Sequence, residues 1–261
     1  MRVNHLLALD DEQHIIGRGS SLGRDAISAA ASMFQTPQVQ QLLQLPESGV
    51  VLVNGCIDRS QSTKISPVTH VCATLTHALR LPRFDGANMV LSFFCGQHST
   101  TNDDLNGPQG LMRSLVAFLV LSLLQNNCIS DSAPIYFPPL QGNFDDLSFV
   151  DICQLFYHLV KLVPKPLTIY CIVDGISFYE REGWEDEYEL IMQCFSSIIA
   201  NKANAPFKLL LTSPTKSLWL PNSIMPNQPV SLRNVRGRGP RGGGSEAYLQ
   251  SAFGNLIFPE G

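Results

Sequence analysis

Three segments place polar or acidic side chains directly after apolar runs, where a parallel sheet would present them to a ligand. The first is the run VVLVN, followed by Gly55 and a loop that reaches Lys64. A phosphate-binding loop of the form G-x-x-x-x-G-K-[ST] surrounds phosphates with backbone N–H groups. Its lysine reaches the terminal phosphates and its hydroxyl holds Mg²⁺. Counted from Gly55, Ser60 replaces the second glycine, Gln61 replaces the lysine, and only Ser62 fits. Counted back from Lys64, both glycines are lost and Ile65 stands where the hydroxyl belongs. Neither register is intact, and Asp58 puts a repelling charge where phosphates would lie.

The second segment is LTIYCIVD, whose final Asp174 could hold the water shell of Mg²⁺ in a nucleotide site. An acid before glycine is equally at home in a plain turn. The third is Thr212-Ser213 after FKLLL, hydroxyls that could sense a terminal phosphate or simply satisfy backbone groups. Other chemistry has less support. There is no G-x-S-x-G elbow for a serine nucleophile, and Cys72 with His70 has a spacing that faces the two apart on a helix. His70 and His77 share a helix face without a third ligand at zinc spacing, so they read as packing residues. The seven cysteines lie far apart with no Cys-x-x-Cys pair, as in buried reduced thiols. GRGSSLG, from Gly17, lacks a lysine and reads as a turn.

The elements that must position these residues alternate. GVVLV from Gly49 reads as a buried strand ended by Asn54-Gly55. Ser66 caps a helix with Pro67 in its first turn, and Val68, Val71, Cys72, Leu75 and Leu79 mark one face. Met89 to Phe94 is a second strand, followed by a polar loop and a long apolar helix from Pro108 to Gln125. Ser148 with Asp151 opens another helix in the manner of a capping box. Then come LTIYCIVD, an amphipathic helix over 186–200 and the strand FKLLLTS. Wholly apolar strands alternating with helices predict an α/β fold of three layers, a mainly parallel sheet covered on both faces.

The composition suits one sizeable core, with 44% apolar and only 15% charged residues among 261. A net charge of -4 argues against a nucleic-acid or membrane-surface binder of the whole-protein kind. The N-terminus has no secretory pattern, and Leu115 to Leu124 is too short an apolar run to span a bilayer. The expectation is a cytoplasmic protein without membrane insertion. Beyond Pro214 order weakens into RNVRGRGPRGGGS, whose Arg233, Arg236, Arg238 and Arg241 could bind RNA or acidic partners. A short helix is expected near 247–253.

The order and spacing of SFFCG, GLMRSL, CIVDGISFYE and KLLLTSPT, spread over about residues 48 to 215, resemble the NACHT-like signal-transduction ATPase (STAND) family of filamentous fungi. That resemblance implies a P-loop NTPase fold that binds ATP and couples its hydrolysis state to oligomerisation. The chain departs from it in three places. The phosphate loop is not recognisable, Ser177-Phe178 replaces the acidic pair after the D-G-[LI] turn, and Pro214 replaces the arginine after Thr-Ser. Glu180 stands as a displaced substitute for the missing acid. Without those charges phosphoryl transfer loses most of its transition-state stabilisation.

The reading is therefore an N-terminal helical or flexible arm over 1–47, a degenerate P-loop NTPase-like domain over 48–232, and an Arg/Gly-rich tail over 233–261. Its function is that of a non-catalytic interaction or regulatory scaffold with protein partners and no assured cofactor. The alternative is a switch that binds Mg-ATP or Mg-ADP through Gly55, Ser62, Lys64, Thr212, Ser213 and Asp174 with little hydrolysis. A further alternative puts nucleic-acid binding in the 233–245 tail.

Overall fold

In the computed structural model, residues 5–56, 63–81, 88–129, 144–200, 205–219 and 228–233 are described. Three helices come first, α1 (His5–Gly17), α2 (Arg24–Ala31) and α3 (Pro37–Gln44). The alternating part follows as β1 (Gly49–Asn54), α4 (Pro67–Arg80), β2 (Asn88–Phe94), α5 (Gly107–Gln125), α6 (Phe149–Lys161), β3 (Thr168–Asp174), α7 (Glu185–Ala200), β4 (Phe207–Ser213) and β5 (Val230–Ser231). The five strands form one sheet in the order β2-β3-β4-β1-β5, and every neighbouring pair is parallel. The α/β class and the covered parallel sheet are those the sequence predicts.

The layering follows from crossover handedness. From β1 the chain crosses two strand positions to β2 by way of α4, then returns stepwise to β3 and β4 by way of α5, α6 and α7. A parallel crossover is right-handed, so reversing the direction of travel puts the helices on the opposite face. Accordingly α4 packs with α1–α3 on one face, in a core that includes Ile15, Phe34, Val51, Leu75 and Leu210. The other three helices cover the second face around Phe93, Leu115, Phe156, Phe195 and Phe207. All seven residues of β4, the central strand, are buried, as sandwiching between two helical layers requires. Each large apolar side chain so buried contributes roughly 1.5–3 kcal/mol.

Two helix starts are fixed by reciprocal side-chain caps. Ser66 Oγ accepts from Thr69 N while Thr69 Oγ1 accepts from Ser66 N, and Ser148 with Asp151 makes the same exchange. The apolar α5 is long enough to cross a membrane by length and composition, but 61% of its apolar window is buried, with Leu111, Leu115 and Leu119 in the core.

The N-terminal residues form part of this architecture. α1, α2 and α3 lie within the 1–47 segment expected to be a helical or flexible arm, and α1 has no periodicity that marks it. Ion pairs fix α1 instead. Glu12, with 4% of its side chain exposed, pairs with Arg80 and lies 3.1 Å from His77 Nδ1, both on α4. The expected helix near 247–253 and Arg236, Arg238 and Arg241 lie outside the described residues, and Arg233 is exposed.

Candidate functional site at the carboxyl edge of the sheet

The ends of β1, β3 and β4 bring Asn54-Gly55, Asp174 and Thr212-Ser213 together, since these strands lie side by side with β4 in the middle. Asp174 is 1% exposed. Its Oδ1 accepts a 2.5 Å hydrogen bond from Thr212 Oγ1, and the Thr69 hydroxyl in the first turn of α4 also bonds the carboxylate. Thr212 Oγ1 in turn accepts from Gly175 N at 3.4 Å. Burial pushes the Asp174 carboxyl up to about 6, and the two hydroxyls hold it back from rising further. Burial, with the Asp174 charge, also drives the thiols of Cys72 and Cys95 well above their ordinary range. Both are inert as nucleophiles at neutral pH.

The backbone at the end of β1 is occupied in the same way. Gly55 N donates to Ser213 O at 2.7 Å, continuing the ladder between the strands rather than pointing at a ligand. A Cβ at Gly55 would stand 2.9 Å from Pro214 O. Cys56 then takes a positive φ of 58° and turns its Sγ to within 3.3 Å of Ser231 Oγ on β5. A phosphate cradle requires free N–H groups converging on one point, and Gly55 supplies none.

Beyond β4 the chain is strapped across this edge. Ser217 N donates to Asn54 Oδ1 at 3.0 Å. Ser213 Oγ donates to Ser177 Oγ at 2.7 Å, and Thr215 Oγ1 donates to the same oxygen at 3.4 Å. Glu180 holds the far end by accepting from Ser217 Oγ, Leu218 N and Trp219 N at 2.5, 2.8 and 3.1 Å. Its carboxylate is thus committed to the strap.

Lys64 does not join the group. It is exposed, and its carbonyl lies at the end of β2, accepting from Gln97 Nε2 at 3.4 Å. A Cβ at Gly96 would collide with that carbonyl. β2 and β1 are separated by β3 and β4, so Lys64 and Gly55 belong to opposite ends of the loop. Ser62 lies outside the described residues.

These residues do not fit a Mg²⁺ ion. Such an ion needs octahedral oxygen ligands with several waters, whereas Asp174 is 1% exposed and its Oδ1 already accepts from the Thr212 hydroxyl. No group of three or more His, Cys, Asp or Glu that could hold a metal is found among the described residues. Sequence reasoning gave no role to Thr69 or Ser217, read Asn54 only as a strand end and Ser177 only as the replacement of an acid. Thr69 was accessible to it through the Ser66-x-x-Thr69 spacing, but the others depend on where the strap lies. Compared with protein-family models, curated proteins and solved structures, the chain matches none of them.

Proposed function

We propose that the chain is a non-catalytic interaction or regulatory scaffold, using an α/β fold of the nucleotide-binding kind for packing and partner contact. The observation that carries this reading is the sealed Asp174. The one acid at the strand ends suited to a metal is buried and bonded to Thr212 and Thr69. A fold can persist while its ligand groups are turned to structural use. The partners of this reading are other proteins in the cytoplasm. The resemblance to NACHT-like domains supports it only through the order of segments, since the charges that would drive hydrolysis are replaced.

Isothermal titration of the full chain with Mg-ATP and with Mg-ADP tests the proposal. No heat at high protein concentration is expected. Micromolar binding that disappears in both Lys64→Ala and Asp174→Ala would replace the scaffold with the nucleotide-responsive switch.

A further inference from the structure

His98, in the turn after β2, is 6% exposed, and each of its ring nitrogens faces a carboxylate. Nε2 lies 2.7 Å from Asp11 Oδ2 on α1, and Nδ1 lies 3.0 Å from Asp103 Oδ2 ahead of α5. An ionised carboxylate only accepts, so both contacts are hydrogen bonds only when the ring carries two protons. A neutral imidazole has a single N–H. Its other nitrogen would then present a lone pair to a carboxylate at hydrogen-bond distance.

Among the described residues, the charges acting on the ring are those of Asp11 and Asp103. The Phe93 ring is 4.9 Å away, and Tyr179 OH donates to the His98 carbonyl at 3.4 Å. Arg181 is directed to the Ser99 carbonyl at 3.2 Å. On α1, Glu12 is turned to Arg80 and His77, and Asp10 is exposed. Asp104, beside Asp103, is also exposed.

We propose that His98 is a proton-operated latch for α1, tight while the ring is doubly protonated and loosened when one proton leaves. The latch joins α1 to the turn between β2 and α5, two parts of the chain far apart in sequence. Burial lowers the proton affinity of the ring, but the hydrogen bonds and charges of Asp11 and Asp103 more than offset it, placing the pKa above the ordinary 6.5. The folded value is therefore raised. The stabilisation is present in full below the unfolded imidazole value and is lost as pH rises through the folded one. The ion pair of Glu12 with Arg80 also holds α1, so the proton sets how firmly α1 is held and not whether it stays.

The test uses the full chain, following the His98 ring by ¹H–¹⁵N NMR and α1 amide exchange by mass spectrometry between about pH 5 and 8. Exchange is corrected for its intrinsic pH dependence. The expected result is a ring titrating above 6.5, with α1 protection falling several-fold through the same pH. Asp103→Asn, which leaves the contact to α1 in place, should lower both midpoints together, and His98→Gln should abolish the pH dependence. A ring titrating at or below 6.5, or α1 protection that stays constant while the ring titrates, overturns the latch. Should His98→Gln fail to fold, Asp103→Asn alone decides, because unlinked midpoints in that variant are equally fatal.

Discussion

Thr212 Oγ1 donates a 2.5 Å hydrogen bond to Asp174 Oδ1 across the neighbouring ends of β4 and β3. The bond turns two residues suited to a nucleotide site toward each other, beneath the first turn of α4. A hydroxyl donating to a carboxylate favours its ionised form, yet burial still leaves Asp174 near 6. The carboxylate is therefore held at an energetic cost, and that cost has a measurable pH dependence.

Asp174→Asn is expected to stabilise the fold at neutral pH. The folded pKa, about 6, exceeds the ordinary 3.8, so the native state binds the proton more tightly. The contribution of Asp174 to wild-type stability falls as pH rises from about 4 to about 6 and is flat above. An asparagine keeps an acceptor for Thr212 and cannot ionise. Its advantage over wild type should grow through that window to about 2–3 kcal/mol. Denaturant midpoints of both proteins across this range check it. An equal pH dependence in the two would show that Asp174 is already ionised at no cost.

Glu180→Ala is expected to free the strap without unfolding the domain. Its carboxylate accepts from Ser217, Leu218 and Trp219, and Leu218 is exposed, so water can replace these bonds. Global stability should fall by only about 1–2 kcal/mol, while amide exchange across 214–219 accelerates. Unchanged exchange there would mean that Asn54 and Ser177 hold the strap by themselves.

The alternating strands and helices were legible because each depends on local pattern. The Leu209-Leu210-Leu211 run within FKLLLTS reads as a strand buried on both faces, and Ser148 with Asp151 states a helix start in four residues. The site was legible only as a set of candidates. Asp174 and Thr212 were singled out as ligands for different groups, and their mutual bond depends on strand order, which no local pattern encodes. The partition of Gly55 and Lys64 to separate strand ends was hidden for the same reason. α1 was missed because its position rests on Asp11 and Glu12 meeting His98 and Arg80, partners well over 60 residues away.

Glu12→Ala is expected to be among the costlier single changes in the N-terminal helices. It leaves Arg80, which is largely buried against Phe118 and also donates to Ser92 Oγ at 3.1 Å, without its counter-charge. Burial already lowers the Arg80 pKa, and Glu12 is what opposes that. A loss of about 2–4 kcal/mol follows from stranding one member of a buried pair. Denaturant unfolding of Glu12→Ala, beside the double variant Glu12→Leu with Arg80→Met, checks it. The double variant should recover most of the loss, and a double variant no better than the single would place the cost in packing rather than charge.

Lys208→Met addresses the opposite edge of the sheet. Lys208 is 3% exposed on β4, with Nζ donating to Leu45 O at the end of α3. Burial lowers its pKa to about 8, opposed by the charge of Glu47. Here the unfolded state binds the proton more tightly, so the lysine weakens the fold most below pH 8 and progressively less above it. Methionine fills similar volume without charge. Lys208→Met should therefore be more stable than wild type at pH 7, by about 1 kcal/mol once the nearby solvent is allowed for, with the gap narrowing above pH 8. The comparison must be between the two proteins, because the buried thiols, raised by burial, erode the stability of both as pH passes about 9. A gap that stays constant between about pH 7 and 9 would show that the Leu45 carbonyl fully compensates the buried ammonium.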